Sequence, residues 1–188
     1  MKTLKGSLLD ESLLDDFGSQ TANLRKEAIR NWVVRNNLYD SEFTINDDFT
    51  INIDGFHYKG KGNFPSFIQF NECNKWFVCD SCKMTSLRGC PRVVNGFFRI
   101  NGNNLKNLVG GPEKVTLSYY CSYCHLKSLK GAPEKVGMDF NCSNNDLTTL
   151  DGAPKHVFKC FDCRNNKLKE SEIRKGQQNI GYRTFSWS

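Results

Sequence analysis

Between residues 73 and 168 the apolar positions return at a fixed interval. A shift of 21 residues brings Val94, Val115, Val136 and Val157 into one column, with Cys73 in the same place one unit earlier. Phe77, Phe98, Tyr119, Phe140 and Phe161 form a second column, and Cys79, Ile100, Cys121, Cys142 and Cys163 a third. Met84, Leu105, Leu126, Leu147 and Leu168 make a fourth; Leu87, Leu108, Leu129 and Leu150 make a fifth. Gly89, Gly110, Gly131 and Gly152 align in the same register, as do Pro91, Pro112, Pro133 and Pro154. A period of this length, with several apolar columns and a turn signal in each unit, predicts a solenoid. One coil cannot bury its own apolar side, so neighbouring coils must cover each other.

Residues 140 to 154, FNCSNNDLTTLDGAP, show the unit most clearly. Phe140 and Cys142 alternate with Asp139, Asn141 and Ser143, the period of two of a short half-buried strand. Asn145 ends that strand. Leu147 and Leu150 turn back inward at a spacing of three, which suits an irregular or 3₁₀-like return. Gly152 supplies the positive φ of the corner and Pro154 stops further pairing.

This pattern resembles the leucine-rich repeat. The family's Leu-x-Leu-x-x-Asn-x-Leu reads here as Phe140, Cys142, Asn145 and Leu147, and the likeness covers about five units from Pro65 to about residue 170. The short unit looks most like the repeats of secreted bacterial effectors and of small proteins carried by tailed phages. The resemblance implies an α/β repeat solenoid with a parallel β-sheet on one face and a bacterial or phage origin. It implies no particular activity, because solenoids of this kind serve many roles.

The flanks read as caps, giving an expected organisation of 1–64 for an N-terminal cap, 65–170 for the solenoid and 171–188 for a C-terminal cap or tail. Residues 7–17 carry Ser-Leu-Leu-Asp twice and read as a short docking helix or a frayed end. From Thr21 to Asn36, Leu24, Ala28, Ile29, Trp32 and Val33 recur at helical spacing, so this helix is expected to seal the first coil. Residues 43–45 and 49–53 flank a polar turn and predict a β-hairpin. The stretch 56–63 is open between a loop and a last cap strand. Residues 169–188 hold Ile173, Ile180, Tyr182, Phe185 and Trp187 in a polar background and are expected to fold over the far end, with disorder of the last few as the alternative.

The chain has 188 residues and a formal charge of +6, the length of one ordinary domain. No apolar run approaches a membrane span. The N-terminus does not read as a secretory signal, so nine cysteines point to a reducing cytoplasm with free thiols. A monomer is expected. Charge is uneven: residues 1–64 hold 8 basic and 10 acidic side chains, and residues 65–188 hold 18 and 10. A basic second half fits an acidic partner, nucleic acid included, or lysines that keep solenoid ridges soluble.

Three Cys-x-x-Cys pairs invite a zinc reading: Cys79 with Cys82, Cys121 with Cys124, and Cys160 with Cys163. The repeat already places most of these thiols. Cys79, Cys121 and Cys163 lie in the inward column and Cys160 in an outward one, and Cys82 and Cys124 fall in the column of Asn103, Asn145 and Asn166. Cys82 and Cys124, two coils apart, would stand roughly 10 Å from each other at the sheet spacing, against Zn–S distances of about 2.3 Å. Residues 121–125, CSYCH, also match a c-type haem attachment pattern, but His125 occupies a variable exposed column. No nucleophile elbow, phosphate loop or paired-carboxylate signature appears. The expectation is a protein without cofactor, metal or catalytic residues.

In a repeat protein the outward strand positions are free of packing constraint. Here they place Trp76, Val78, Phe97, Arg99, Tyr120 and Tyr123 on one sheet face, with Asp139, Asp162 and Arg164 as a polar border. Exposed aromatics around an arginine have the composition of an interface centre. The expected function is therefore non-catalytic binding of an unidentified protein partner through a concave sheet face, a host protein if the chain is phage-encoded. Binding of single-stranded nucleic acid by stacking and a zinc module remain the alternatives. Coverage of Trp76 and Phe97 by the hairpin or the tail is the structural counter-expectation.

Overall fold

A computed structural model of the chain describes residues 11–38 and 42–187, with side chains from residue 18 onward. Of the doubled Ser-Leu-Leu-Asp segment, residues 7–10 lie outside the described residues and 11–17 belong to a helix. That helix, α1 (Glu11–Arg35), starts ten residues before the helix expected from Thr21. Its buried stripe is shorter than the sequence pattern implied: Ile29 and Val33 are fully buried, whereas Leu24 and Ala28 are exposed. The last turns are the part that meets the first coil. Trp32 sits 5.7 Å from the Phe64 ring, 6.0 Å from Tyr58 and 6.4 Å from both Phe56 and Phe70.

Strands β1 (Phe43–Ile45) and β2 (Ile51–Ile53) form the antiparallel hairpin, with Phe43 opposite Ile53. The hairpin is not separate from the solenoid. β2 pairs in parallel with β4 (Phe70–Cys73), and β3 (Phe56–His57) pairs in parallel with β5 (Trp76–Val78). The first coil thus begins near Ile51, ahead of the expected boundary between residues 64 and 65. Phe56 stands 21 residues before Phe77 and takes its place in the aromatic column, so the stretch from residue 56 opens with a strand.

The remaining coils each supply two short strands: β6 (Val93–Val94) and β7 (Phe97–Arg99), β8 (Lys114–Val115) and β9 (Tyr119–Tyr120), β10 (Lys135–Val136) and β11 (Phe140–Asn141), β12 (His156–Val157) and β13 (Cys160–Asp162). After helix α2 (Glu170–Asn179), strand β14 (Thr184–Ser186) ends the described chain. One seven-stranded sheet runs β1-β2-β4-β6-β8-β10-β12 and the other β3-β5-β7-β9-β11-β13-β14. The molecule is a parallel β-solenoid with two sheets where one was expected. The second arises from the valine column: β-branched residues favour extended backbone, and two-residue corners such as Asn95-Gly96 carry the chain from one sheet to the other.

Stacking holds the coils together. Phe56, Phe77, Phe98, Tyr119, Phe140, Phe161 and Phe185 form a continuous ladder with centroids 5.0–5.6 Å apart between successive rungs. Burial of one such ring contributes about 1.5–3 kcal/mol, and ring pairing adds about 0.5–1.5 kcal/mol. Corners are equally close. Gly131 has φ +95°, and a Cβ there would lie 2.4 Å from the Leu108 carbonyl carbon, so glycine is required on both counts.

At the far end α2 lays Ile173 and Gly176 on the last coil. A Cβ at Gly176 would approach Leu150 Cδ1 at 2.4 Å and the Phe185 ring at 3.3 Å. β14 then extends the second sheet beside β13, with Phe161 opposite Phe185. No described helix is long and apolar enough to cross a membrane.

Candidate functional site

The sheet from β3 to β14 turns one row of side chains into the core and the next outward. Its outward rows are fixed by register: Trp76 stands beside Phe97, and His57, Val78, Arg99, Tyr120, Asn141 and Asp162 follow one another in the neighbouring row. Trp76 is 42% exposed and Tyr123 63%, with Phe97, Arg99 and Tyr120 half-buried. Trp76 rests on Gly55, where an added Cβ would meet the indole at 2.9 Å. The first coil is therefore a floor for Trp76 and not a lid. The β1–β2 hairpin belongs to the other sheet and β14 to the distant edge of this one, so neither expected cover lies over these aromatics.

Two positions differ from their expected exposure. Val78 is only 4% exposed; it is a short side chain in a row between His57 and Arg99, both longer. Asp162 is 6% exposed, because Arg164 folds back on it, with Nε to Oδ1 at 3.0 Å and Nη2 to Oδ2 at 2.8 Å. The polar half of the face is occupied with itself. Ser118 and the Cys160 backbone N–H donate to the Asp139 carboxylate, and Ser122 Oγ donates to Asn141 Oδ1 at 2.8 Å. Trp76 and Phe97 pair across adjacent strands, and Phe97, Arg99 and Tyr120 line one depression; Tyr123 stands apart, beyond the end of β9, and Asp139, Asp162 and Arg164 serve the ladder.

Arg99 lies at the centre. Its Nε is 2.6 Å from Asp80 Oδ2, and Asp80 Oδ1 accepts the Asn101 backbone N–H at 3.0 Å. Phe97, Arg99, Asn101 and Tyr120 line an open depression of about 400 Å³. His57 joins the same row one coil earlier and is exposed. The sequence pattern held the signal for it, since Phe56 precedes Phe77 by one period.

Tyr123 has φ +57°, in a column where Ser81, Gly102, Asn144 and Asn165 also have positive φ. Glycine and asparagine adopt this conformation readily, whereas a bulky side chain does so at a cost. Strained non-glycine residues of this kind cluster at functional sites.

The cysteines are core residues. Eight of the nine are buried. Burial pushes the Cys73 and Cys163 thiols up to about 12 and the Cys124 thiol to about 11. Cys82 Sγ donates to the Tyr58 carbonyl at 3.3 Å, and Cys124 Sγ to the Ile100 carbonyl at 3.0 Å. Thiols held protonated as donors are poor metal ligands, which bind as thiolates. Among the described residues no group of three or more His, Cys, Asp or Glu side chains is placed to hold a metal ion. His125 is exposed and lies 3.7 Å from Asp146.

Cationic side chains gather elsewhere. Lys114 and Lys135 project from the other sheet, and Lys106 and Lys127 lie on the returns between sheets, joined through their backbones. No known protein family, curated protein or solved structure matches the chain.

Proposed function

We propose that this solenoid is a non-catalytic, leucine-rich-repeat-like binding protein that holds a protein partner on the outer face of the β3–β14 sheet, around Trp76, Phe97, Arg99, Tyr120 and Tyr123. The observation that carries the reading is Tyr123, a large aromatic kept 63% exposed at a φ of +57° on the same coil as half-buried Tyr120. The coil sets the positive φ throughout this column but does not call for an exposed ring there, and aromatic anchors on a rigid surface supply contact area at low entropic cost. Its resemblance to short bacterial and phage repeats supports a cytoplasmic partner in a bacterial host.

The test is capture from a bacterial lysate with the full chain and with the Phe97→Ala/Tyr120→Ala double variant, using Lys114→Ala on the other sheet as the control. Loss of hot-spot aromatics costs 2 kcal/mol or more, roughly a thirtyfold loss of affinity. A partner retained by the control and lost by the double variant supports the reading. Equal capture by all three overturns it, as does a preference for single-stranded RNA with a steep salt dependence.

A further inference from the structure

We infer that the returns of the middle coils form a basic ridge that binds the phosphate backbone of double-stranded nucleic acid without reading its sequence. This goes beyond the protein-binding reading and rests on other residues. Residues 83–130 hold 8 basic and 1 acidic side chains, whereas the remainder of the chain holds 18 and 19. The excess of positive charge therefore lies in this stretch. Along the first of these returns, Cys82, Met84 and Leu87 are buried while Lys83, Thr85 and Arg88 are exposed. The 21-residue register repeats the outward positions as Asn104, Lys106 and Val109, then as His125, Lys127 and Lys130. Lys83, Arg88, Lys106, Lys127 and Lys130 are all exposed on this one side of the solenoid.

Four cations elsewhere on the coils are matched by a carboxylate one period away: Lys75 by Asp54, Arg92 by Glu113, Lys155 by Glu134 and Lys167 by Asp146. On the ridge the like charges stack instead. Lys127 follows Lys106 in the next coil, its backbone N–H donating to the Lys106 carbonyl at 3.1 Å, and none of the five cations has a carboxylate partner among the described residues. Lys114 and Lys135 stack in the same way on the other sheet, but there Glu113 and Glu134 adjoin them in the chain. Charges of one sign set about 4.8 Å apart by the coil spacing repel, and an anionic chain laid across them relieves the repulsion. In the following coil Asp146 and Asp151 take the corresponding places, each already paired, with Lys167 and Lys175, so the ridge ends there.

The groups between the cations suit phosphate and sugar. Thr85, Ser86, Asn104 and Asn107 line, with Lys106 and Val109, an open depression of about 600 Å³, and hydroxyl, amide and ammonium groups are the common contacts to a nucleic-acid backbone. No Phe, Tyr or Trp occupies the outward return positions of these coils. Tyr123, at one edge, is a single ring, which does not stack successive unpaired bases. Val109 is the exposed apolar side chain of the ridge, too little to bury in a membrane surface or to anchor a protein. A duplex needs neither, since its regularly spaced phosphates meet cations held at the regular spacing of the coils.

The probe is a labelled DNA duplex of about 20 base pairs and arbitrary sequence, titrated with the full chain at about 50 and 200 mM salt. About three to five phosphate contacts predict an affinity that falls roughly fortyfold to five-hundredfold between the two conditions. Lys106→Glu/Lys127→Glu should weaken binding about tenfold to a hundredfold at the lower salt and flatten the salt dependence. Lys159→Glu/Arg183→Glu makes the same change of charge at two exposed positions at the far end and should weaken binding no more than about threefold, because salt screens charges beyond about 10 Å. The salt dependence of the unmodified chain tests the ridge whether or not a variant folds. Equal weakening by the two variants, a duplex affinity that salt leaves unchanged, or tighter binding of phosphatidylserine-rich vesicles or of the same sequence as a single strand overturns the assignment.

Discussion

The backbone N–H of Leu105 donates to the carbonyl oxygen of Cys124 at 2.8 Å. In the adjoining coils the same column of N–H groups is received differently: Met84 donates to Asn103 Oδ1, Leu126 to Asn145 Oδ1 and Leu147 to Asn166 Oδ1. Where asparagine is replaced by cysteine, the side-chain acceptor is gone and the backbone takes over. His125, the residue after Cys124, has φ +59°, and Lys83 after Cys82 has φ +58°, whereas the residues after the three asparagines do not have positive φ. The peptide turns so that its carbonyl faces the neighbouring coil, and the thiol supplies the remaining donor. Two chemistries thus close the same corner.

Asn145 should accordingly be among the costliest positions to truncate. It is buried, and it accepts from the Cys124 and Leu126 N–H groups while donating to the Cys121 and Cys142 carbonyls. Asn145→Ala leaves several of these groups without a partner and should cost about 3 kcal/mol or more, at about 1–3 kcal/mol for each unsatisfied group. Cys124→Ala removes only weak thiol donors and a small buried volume, for about 1–2 kcal/mol. Urea denaturation of the two variants checks the difference; equal losses would show that the side-chain ladder does not carry the corner.

Tyr119 is the one ring of the ladder with a hydroxyl, and it is fully buried. Its oxygen has no hydrogen-bond partner among the described residues. An unpaired buried hydroxyl costs about 1–3 kcal/mol, so Tyr119→Phe should raise the unfolding free energy by about 1 kcal/mol. Phenylalanine already fills the rungs on either side, at Phe98 and Phe140. Thermal melting of the variant at or below the wild-type midpoint would count against an unsatisfied oxygen.

The rungs of the solenoid were legible because packing repeats. Phe98, Tyr119 and Phe140 do pair in register, and Asn103, Asn145 and Asn166 do bind the backbone of neighbouring coils. The second sheet was less visible: a valine in each unit marks a buried column, but two-residue strands are too short to show an alternation. The first coil was hidden by its bulge between Ile51 and Asn52, which moves β2 out of the 21-residue frame. At the candidate site, register put the aromatics on one face, but burial depends on neighbours across the sheet. The sequence pattern therefore exposed Val78 and Asp162, which the longer residues beside Val78 and the guanidinium of Arg164 cover.

Tyr123 links stability with the proposed binding face. Its φ of +57° costs about 1–2 kcal/mol for an ordinary residue, and asparagine holds the same position in the next two coils. Tyr123→Asn should stabilise the fold by about 0.5–1 kcal/mol while weakening partner capture. Both are measurable on one preparation, by urea denaturation and by the pull-down already described. A variant that binds fully would mean that the strain serves no contact.

Alkali should unfold the protein well before it affects an ordinary solenoid. Burial holds the eight core thiols protonated, with Cys73 and Cys163 raised to about 12 and Cys79, Cys121 and Cys142 raised by burial together with thiol neighbours. In the unfolded chain the same thiols ionise near their ordinary value of 9.0. Their contribution is thus complete below pH 9 and is lost as the pH climbs from there towards 12, at about 1.4 kcal/mol per pH unit for each thiol that ionises only when unfolded. Several such groups against a total stability of about 5–15 kcal/mol place cooperative unfolding within about two pH units above 9. Circular dichroism across this range checks the midpoint, and Cys142→Ala, compared with wild type at equal starting stability, should flatten the slope. Below the transition, a thiol reagent should find half-buried Cys160 first and reach the other eight only on denaturation. Rapid labelling of several thiols at neutral pH would mean that the coils open far more readily than their packing implies.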